Sequence, residues 1–141
     1  AVVILKRIPF ESISKDISKI NEISFNYTAK ENLNSTHIAK GAANSLEIQL
    51  DDDERGLCFG LKIPNAANAV SWTSAKVEIK DLSCWGCGCK GNETIDLNKI
   101  DYIELAISNL DGEKGGQGEV IFDQIEGTVP ASGLPSLRFR S

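Results

Sequence analysis

The chain has 141 residues, a formal net charge of −5, 41% hydrophobic residues and 25% charged residues. This length allows one domain with a buried core, and this composition excludes an intrinsically disordered chain. Because Lys and Arg are scattered singly among acidic residues, we expect no nucleic-acid partner, and because no apolar run approaches about 18 residues, we expect no membrane span.

The predicted elements begin with a continuously apolar segment at residues 2–5, which is typical of a central strand. The segment 11–20 follows, in which Ile13, Ile17 and Ile20 have the spacing of one helical face after a Ser that could cap the helix. This segment is interpreted as one or two helical turns, or as a loop.

Alternating apolar and polar residues, the pattern of half-buried strands, dominate the rest of the chain. In the segment 22–28, Ile23, Phe25 and Tyr27 fall on one face. The same alternation recurs in the segments 46–50, 75–80, 103–108 and 120–122. A further run, 57–63, is continuously apolar and is interpreted as another central strand.

Turn-forming residues separate these segments, as at 51–56 and 111–116, where Asp and Gly cluster. Many short strands between such turns predict an all-β fold, an antiparallel sandwich or barrel. In a sandwich the inner faces would bury four of the alternating residues: Phe25, Ile79, Leu105 and Phe122. We assign residues 1–129 to one β-sandwich domain and residues 130–141 to a C-terminal linker or tail.

The four cysteines are Cys58 and a cluster formed by Cys84, Cys87 and Cys89. In an oxidising compartment they would form two disulfides, in any of three pairings. The alternatives are free thiols, or a zinc site with all four as ligands, since Cys-x-x-Cys is a known ligand spacing. A second Cys-x-x-Cys is missing, so we favour disulfides and with them a secreted or cell-surface location.

Three segments carry a resemblance to a known family: KINEISFNY at 19–27, WTSAKVEIKDL at 72–82, and TIDLNKIDYI at 94–103 followed by GEVIFDQI at 118–125. In this order they resemble the jelly-roll carbohydrate-binding modules attached to bacterial cellulases, particularly the β-glucan-binding family eleven. The resemblance covers residues 1–127. It implies an antiparallel jelly-roll β-sandwich and a polysaccharide ligand such as β-glucan.

The resemblance also implies binding residues. It places Trp85 in the variable loop of the glucan cleft, where the indole would stack on a sugar ring or would simply cover a disulfide. Asp101 matches a position whose carboxylate accepts hydrogen bonds from sugar hydroxyls. Lys90 and Glu104 are neighbours that would add polar contacts. The alternative for all three polar residues is a solvated surface charge.

Asp123 matches a position that in jelly-roll modules helps to bind a structural Ca²⁺, a cation that takes six to eight oxygen ligands. The acidic strand that would supply several of these oxygens has no counterpart here. A second acidic cluster, 51–54, lacks EF-hand spacing and is expected to be a solvated turn. Trp72 matches a tryptophan at the start of a family strand, and we expect it in the core because large aromatics are mostly buried.

The sequence departs from the family in lacking the first one or two strands before the segment 1–5 and in having only 6% aromatic residues. The unpaired sheet edge could be completed by a strand from a partner chain.

The single histidine, His37, stands in a polar loop, and no hydrolase, zincin or P-loop motif occurs, so we expect no catalysis. The predicted function is non-catalytic polysaccharide binding, and the alternative is a structural or adhesive subunit of an extracellular assembly.

Overall fold

The structure is a computed structural model that describes residues 2–29, 44–63, 71–84, 87–109 and 120–130. In these ranges the chain forms two antiparallel β-sheets, which confirms the all-β sandwich. The strands are β1 (Val2–Pro9), β2 (Glu22–Ala29), β3 (Asn44–Asp52), β4 (Leu57–Lys62), β5 (Thr73–Glu78), β6 (Ser83–Cys84), β7 (Tyr102–Asn109) and β8 (Val120–Thr128).

Within the described residues the larger sheet has five strands in the order β1-β7-β3-β4-β6, and the smaller sheet has three in the order β5-β2-β8. The interpretation of 57–63 as a central strand is confirmed, because β4 lies between β3 and β6. The same interpretation of 2–5 is wrong. In the described part of the larger sheet β1 is the terminal strand and pairs with β7 alone. The jelly-roll connectivity stays a prediction, as do the domain boundary at 129 and the linker that follows it.

Short 3₁₀ helices connect the strands. The segment 11–20 forms helical turns, as the sequence indicates, at Phe10–Ile13 and Ile17–Lys19. A third 3₁₀ helix, Ile79–Asp81, ends the strand predicted at 75–80 two residues early, and the Ile79 backbone N–H donates to the Asn21 carbonyl instead of a strand neighbour. In the described ranges no helix has the length and apolar character to cross a membrane.

The core contains the inward-facing residues of both sheets. Phe25, Ile79 and Leu105 are buried, as predicted. Phe122 is only partly buried, but its ring packs edge-on against Phe25, with 6.1 Å between the ring centroids. Burying apolar side chains of this size stabilises the fold by about 1.5–3 kcal/mol each, so alternation in the sequence carries most of the driving force for the sandwich.

Trp72 is not a core residue, and this expectation from the resemblance is wrong. Its side chain is 57% exposed. The reason is the alternation of the strand that follows: Ala75 and Val77 face the core, so Ser74 and Trp72 face outward.

Candidate ligand-binding face of the larger sheet

The turn between β3 and β4 lies at one end of the larger sheet and is hydrogen-bonded to the segment that precedes β7. Asp52 is fully buried, and its carboxylate accepts hydrogen bonds from the Arg55 side-chain Nε and, at 2.9 Å, from the Arg55 backbone N–H. The Arg55 guanidinium also reaches the Thr94 carbonyl at 3.4 Å. The expectation of a solvated turn at 51–54 is therefore wrong for Asp51 and Asp52, because an arginine and strand packing remove both carboxylates from water.

Asp101 fastens this turn to the start of β7. Its backbone N–H donates to the Asp51 carbonyl at 2.8 Å, and its side-chain Oδ2 accepts from the Asp53 backbone N–H at 3.0 Å. The Asp101 carbonyl in turn accepts from the Phe10 N–H at 3.0 Å. Asp101 is exposed, so the carboxylate that clamps the turn also faces solvent.

The side chains of Arg7, Glu104 and Gln49 form a row across β1, β7 and β3, because these three residues are paired in register. They lie on the outer face of the larger sheet, opposite the core face that Leu50 and Leu105 occupy. Gln49 is half-buried and Glu104 is buried. The alternative interpretation of Glu104 as a solvated charge is therefore wrong.

Arg7 is held in place by three neighbours. Its Nε lies 3.6 Å from Glu104 Oε2, and its Nη2 lies 3.5 Å from Asp53 Oδ2. The centre of the guanidinium lies 3.6 Å from the centroid of the Tyr102 ring, which is a cation–π contact. The Arg7 side chain nevertheless keeps 44% exposure, so part of it remains open to a ligand.

Asp51 lies on the same face, in the row next to Glu104. Burial raises the pKa of Asp51 to about 8, helped by a hydrogen bond with Glu104 and by the negative charges of Glu104 and Asp53, while Arg7 opposes the shift. Asp51 therefore holds a proton at neutral pH. Its Oδ1 is buried without a hydrogen-bond partner in the described residues.

The cysteines form disulfides between Cys58 and Cys87 and between Cys84 and Cys89, with Cα–Cα distances of 5.8 and 5.6 Å. The disulfide prediction is confirmed, and the zinc and free-thiol alternatives are wrong because all four sulfurs are consumed. The first bridge ties the loop after β6 to β4, and the second ties the same loop back to β6.

The same loop also touches the β3–β4 turn. The Gly88 N–H donates to the Gly56 carbonyl at 2.9 Å, and a Cβ on Gly88 would lie 2.9 Å from that oxygen. This close approach requires glycine at position 88, and it brings the disulfide loop to the same end of the sheet as Asp101.

The predicted binding residues are brought together only in part. Asp101 and Glu104 lie at the end of the larger sheet where the disulfide loop is fastened. Lys90 is exposed in that loop, and its backbone N–H donates to the Glu93 carboxylate. The hydrogen bond from the Lys90 backbone N–H, together with further backbone N–H groups of the loop, lowers the pKa of Glu93. Trp85 lies outside the described residues.

The predicted calcium ligand, Asp123, lies on β8. Asp123 is exposed, and its Oδ1 accepts a hydrogen bond from the adjacent Gln124 N–H at 2.9 Å. In the part of the chain that the structure describes, the group of three candidate ligands that lies together is Cys84, Cys89 and Glu93, and both of its sulfurs are in a disulfide. The structural Ca²⁺ therefore stays a prediction.

Arg7, Gln49, Asp51 and Tyr102 were missed at the sequence level. Gln49 and Asp51 could have been found from the alternation of the segment 46–50. Its apolar residues at 46, 48 and 50 face the core, so positions 49 and 51 face outward. Arg7 and Tyr102 had no local signal, because their contact depends on the pairing of β1 with β7.

Comparison of the chain with protein-family models, with curated proteins and with solved structures finds no match. The fold and this face define a β-sandwich with a disulfide-fastened loop beside a row of ordered polar side chains.

Proposed function

We propose that this protein is a secreted or cell-surface, non-catalytic polysaccharide-binding module with a jelly-roll fold, whose ligand lies across the outer face of the larger sheet and against the disulfide loop. The observation that carries the proposal is the row of Arg7 and Gln49 beside the Tyr102 ring, held in position by the buried Glu104. A ligand such as β-glucan would find these side chains already ordered.

The chemistry of the row suits sugar hydroxyls, which both donate and accept hydrogen bonds. A guanidinium supplies donors only, whereas the Gln49 amide supplies both a donor and an acceptor. Because the Arg7 side chain is already held by Glu104, Asp53 and Tyr102, little conformational entropy remains to be lost on binding.

The charges of the face favour an uncharged ligand. The guanidinium of Arg7 is neutralised by Glu104 and Asp53, and the chain as a whole carries a charge of −5. A polyanion would be repelled by this surface. A neutral polysaccharide meets no such penalty, and Trp85 and Lys90 in the neighbouring loop would add a stacking plane and a donor.

The carboxyl pair on this face supports a binding role and not hydrolysis. Asp51 and Glu104 are buried and share a hydrogen bond. Glycoside hydrolases place their two carboxyl groups about 5–9.5 Å apart, so that a sugar, and in inverting enzymes a water, fits between them. Two carboxyl groups in hydrogen-bond contact leave no such space.

The test is affinity electrophoresis and titration calorimetry with soluble mixed-linkage β-glucan, xyloglucan and glucomannan. We expect the parent protein to bind at least one of them, and Gln49→Ala and Trp85→Ala each to weaken binding about tenfold. Glu11→Ala, an exposed residue of the Phe10–Ile13 helix, is the matched control and should bind as the parent does. Absence of binding by the parent to every glycan would reject the proposal.

A second candidate function is a structural or adhesive subunit whose sheet is completed by another chain. It is favoured by one observation: in the described ranges β1 pairs on one side only and ends the larger sheet. A terminal strand offers backbone groups for pairing. Sedimentation analysis distinguishes the two functions, since self-association that grows with protein concentration supports this candidate and a constant monomer mass counts against it.

A further inference from the structure

The outer face of the smaller sheet contains a β-bulge that changes which side chains are exposed. The pairing of β2 with β8 shifts register between Ser24 and Asn26. At the bulge, Gln124 has a φ of 54°, a left-handed conformation that a residue with a Cβ adopts only at a cost in free energy. As a result Asp123 and Gln124 are both exposed, although adjacent strand residues ordinarily face opposite sides.

The bulge completes a row of uncharged polar side chains across all three strands of the smaller sheet. The Ser74 hydroxyl donates to Asn26 Oδ1 at 2.8 Å, and Asn26 Nδ2 donates to Gln124 Oε1 at 2.6 Å. These bonds fix the orientation of both amides. Among the described residues, the Gln124 amide N–H groups and the remaining lone pairs of Ser74 have no further hydrogen-bond partner, so they are available to a ligand.

Trp72 lies on the same face, two residues before Ser74 and therefore about 7 Å from it along the strand. Trp72 is 57% exposed, which is unusual for the largest apolar residue. Ile121, two residues before Asp123 on β8, is also exposed on this face. An open aromatic plane thus stands next to the ordered amide row.

We infer that this surface, the Trp72 face, is a second polysaccharide-binding site, with Trp72 stacking on the apolar face of a pyranose ring and the Ser74–Asn26–Gln124 row hydrogen-bonding the hydroxyls of the adjoining sugar. The inference shares the ligand class of the proposed function but uses the opposite sheet and none of its residues. A neutral glycan is favoured because the row carries no charge and Asp123 beside it would repel a polyanion. A protein partner would require a larger apolar patch than one indole and one isoleucine.

Intrinsic fluorescence tests the site directly. The chain has two tryptophans, so in Trp85→Phe the emission comes from Trp72 alone. Addition of soluble β-glucan should then shift or quench this emission, whereas dextran sulfate, a polyanion, should leave it unchanged. An unchanged emission at saturating β-glucan, or an equal response to dextran sulfate, overturns the inference.

Affinity electrophoresis tests the contribution of each residue. We expect Trp72→Ala to weaken binding of the β-glucan about tenfold and Trp72→Phe to weaken it less. Gln124→Gly is the decisive variant, because glycine relieves the left-handed backbone while removing the amide. It should reduce affinity with an unchanged or higher melting temperature. Lys76→Ala, an exposed residue of the same strand face, is the matched control.

The two sites fail in distinguishable ways. If Trp85→Ala abolishes binding and Trp72→Ala and Gln124→Gly bind as the parent does, the Trp72 face is not a glycan site and the proposed function stands. If only the Trp72-face variants lose binding, the inference stands and the site on the larger sheet is rejected. If the parent binds none of the glycans, or if Trp72→Ala abolishes self-association instead, the inference is overturned.

Discussion

The carboxyl groups of Asp51 and Glu104 share a hydrogen bond on the outer face of the larger sheet, next to the guanidinium of Arg7. The pair is buried, although both residues belong to strands whose other face forms the core. β3 and β7 therefore have polar groups withdrawn from water on one side and apolar groups on the other. This relationship determines how the stability of the protein should respond to pH and to substitution.

The first prediction concerns pH. In the folded state Asp51 has a pKa of about 8, whereas an unfolded chain has about 3.9, so folding binds a proton between these values. The stability that this proton provides is fully present below about pH 3.9, is lost progressively as pH rises toward about 8, and is absent above that. Between pH 5 and 9 we expect Asp51→Asn to gain at least about 2 kcal/mol over the parent in free energy of unfolding.

Urea unfolding at intervals of one pH unit measures this difference. Glu11→Gln, at an exposed position, is the control and should follow the parent at every pH. Parallel curves for the parent and Asp51→Asn would show that Asp51 is ionised in the folded protein at neutral pH.

The second prediction concerns Arg7. Its removal leaves the buried Glu104 without its counter-charge, so we expect Arg7→Ala to lower the free energy of unfolding by about 2 kcal/mol, less than a fully buried pair because Arg7 is partly exposed. Arg7→Lys retains charge but loses the stacking on Tyr102 and should lower it by about 1 kcal/mol. Lys19→Ala breaks the exposed pair with Asp16 and should leave the free energy of unfolding nearly unchanged. Equal effects of all three variants would contradict this interpretation.

The third prediction concerns the two disulfides, which close loops of different length. Cys58 and Cys87 are 29 residues apart, and Cys84 and Cys89 are five apart. In the chain-entropy description, replacing the first pair by Ala should lower the free energy of unfolding by about 3.5 kcal/mol and replacing the second pair by about 2 kcal/mol. Denaturant unfolding of the two double variants measures the order, and a greater loss from the shorter loop would contradict it.

The fourth prediction concerns two neighbours in the β3–β4 turn. Asp52 is fully buried against Arg55, whereas Glu54 is exposed. Asp52→Ala leaves the guanidinium without its carboxylate and a backbone N–H without its acceptor, so we expect a loss of about 3 kcal/mol. Glu54→Ala should change stability by less than about 0.5 kcal/mol. Thermal unfolding of both variants in the same buffer tests the contrast, and a similar melting temperature for the two would refute it.

Much of the fold was predictable because strand alternation is a local property. The burial of Phe25 and Leu105 follows from a repeat of two residues, which each segment shows without reference to any other. The exposure of Trp72 follows from the same repeat, counted back from Ala75, and contradicts the expectation that a large aromatic side chain is buried.

The candidate sites were less predictable because they depend on pairing between distant segments. Asp51 reads as a turn residue in a run of acids, and its burial depends on the strands that pack beside β3. Gln124 is exposed because of a bulge against β2, and a bulge leaves no mark on local periodicity.

By itself the sequence determined that the chain is an all-β sandwich with disulfides, because the alternation of apolar and polar residues is visible within each segment. Only the tertiary structure decided which cysteines are joined, that Arg7 lies over Tyr102 and that burial beside Glu104 raises the pKa of Asp51. These contacts join residues far apart in the chain, and the distance between such residues is set by strand register and sheet order, which no single segment specifies.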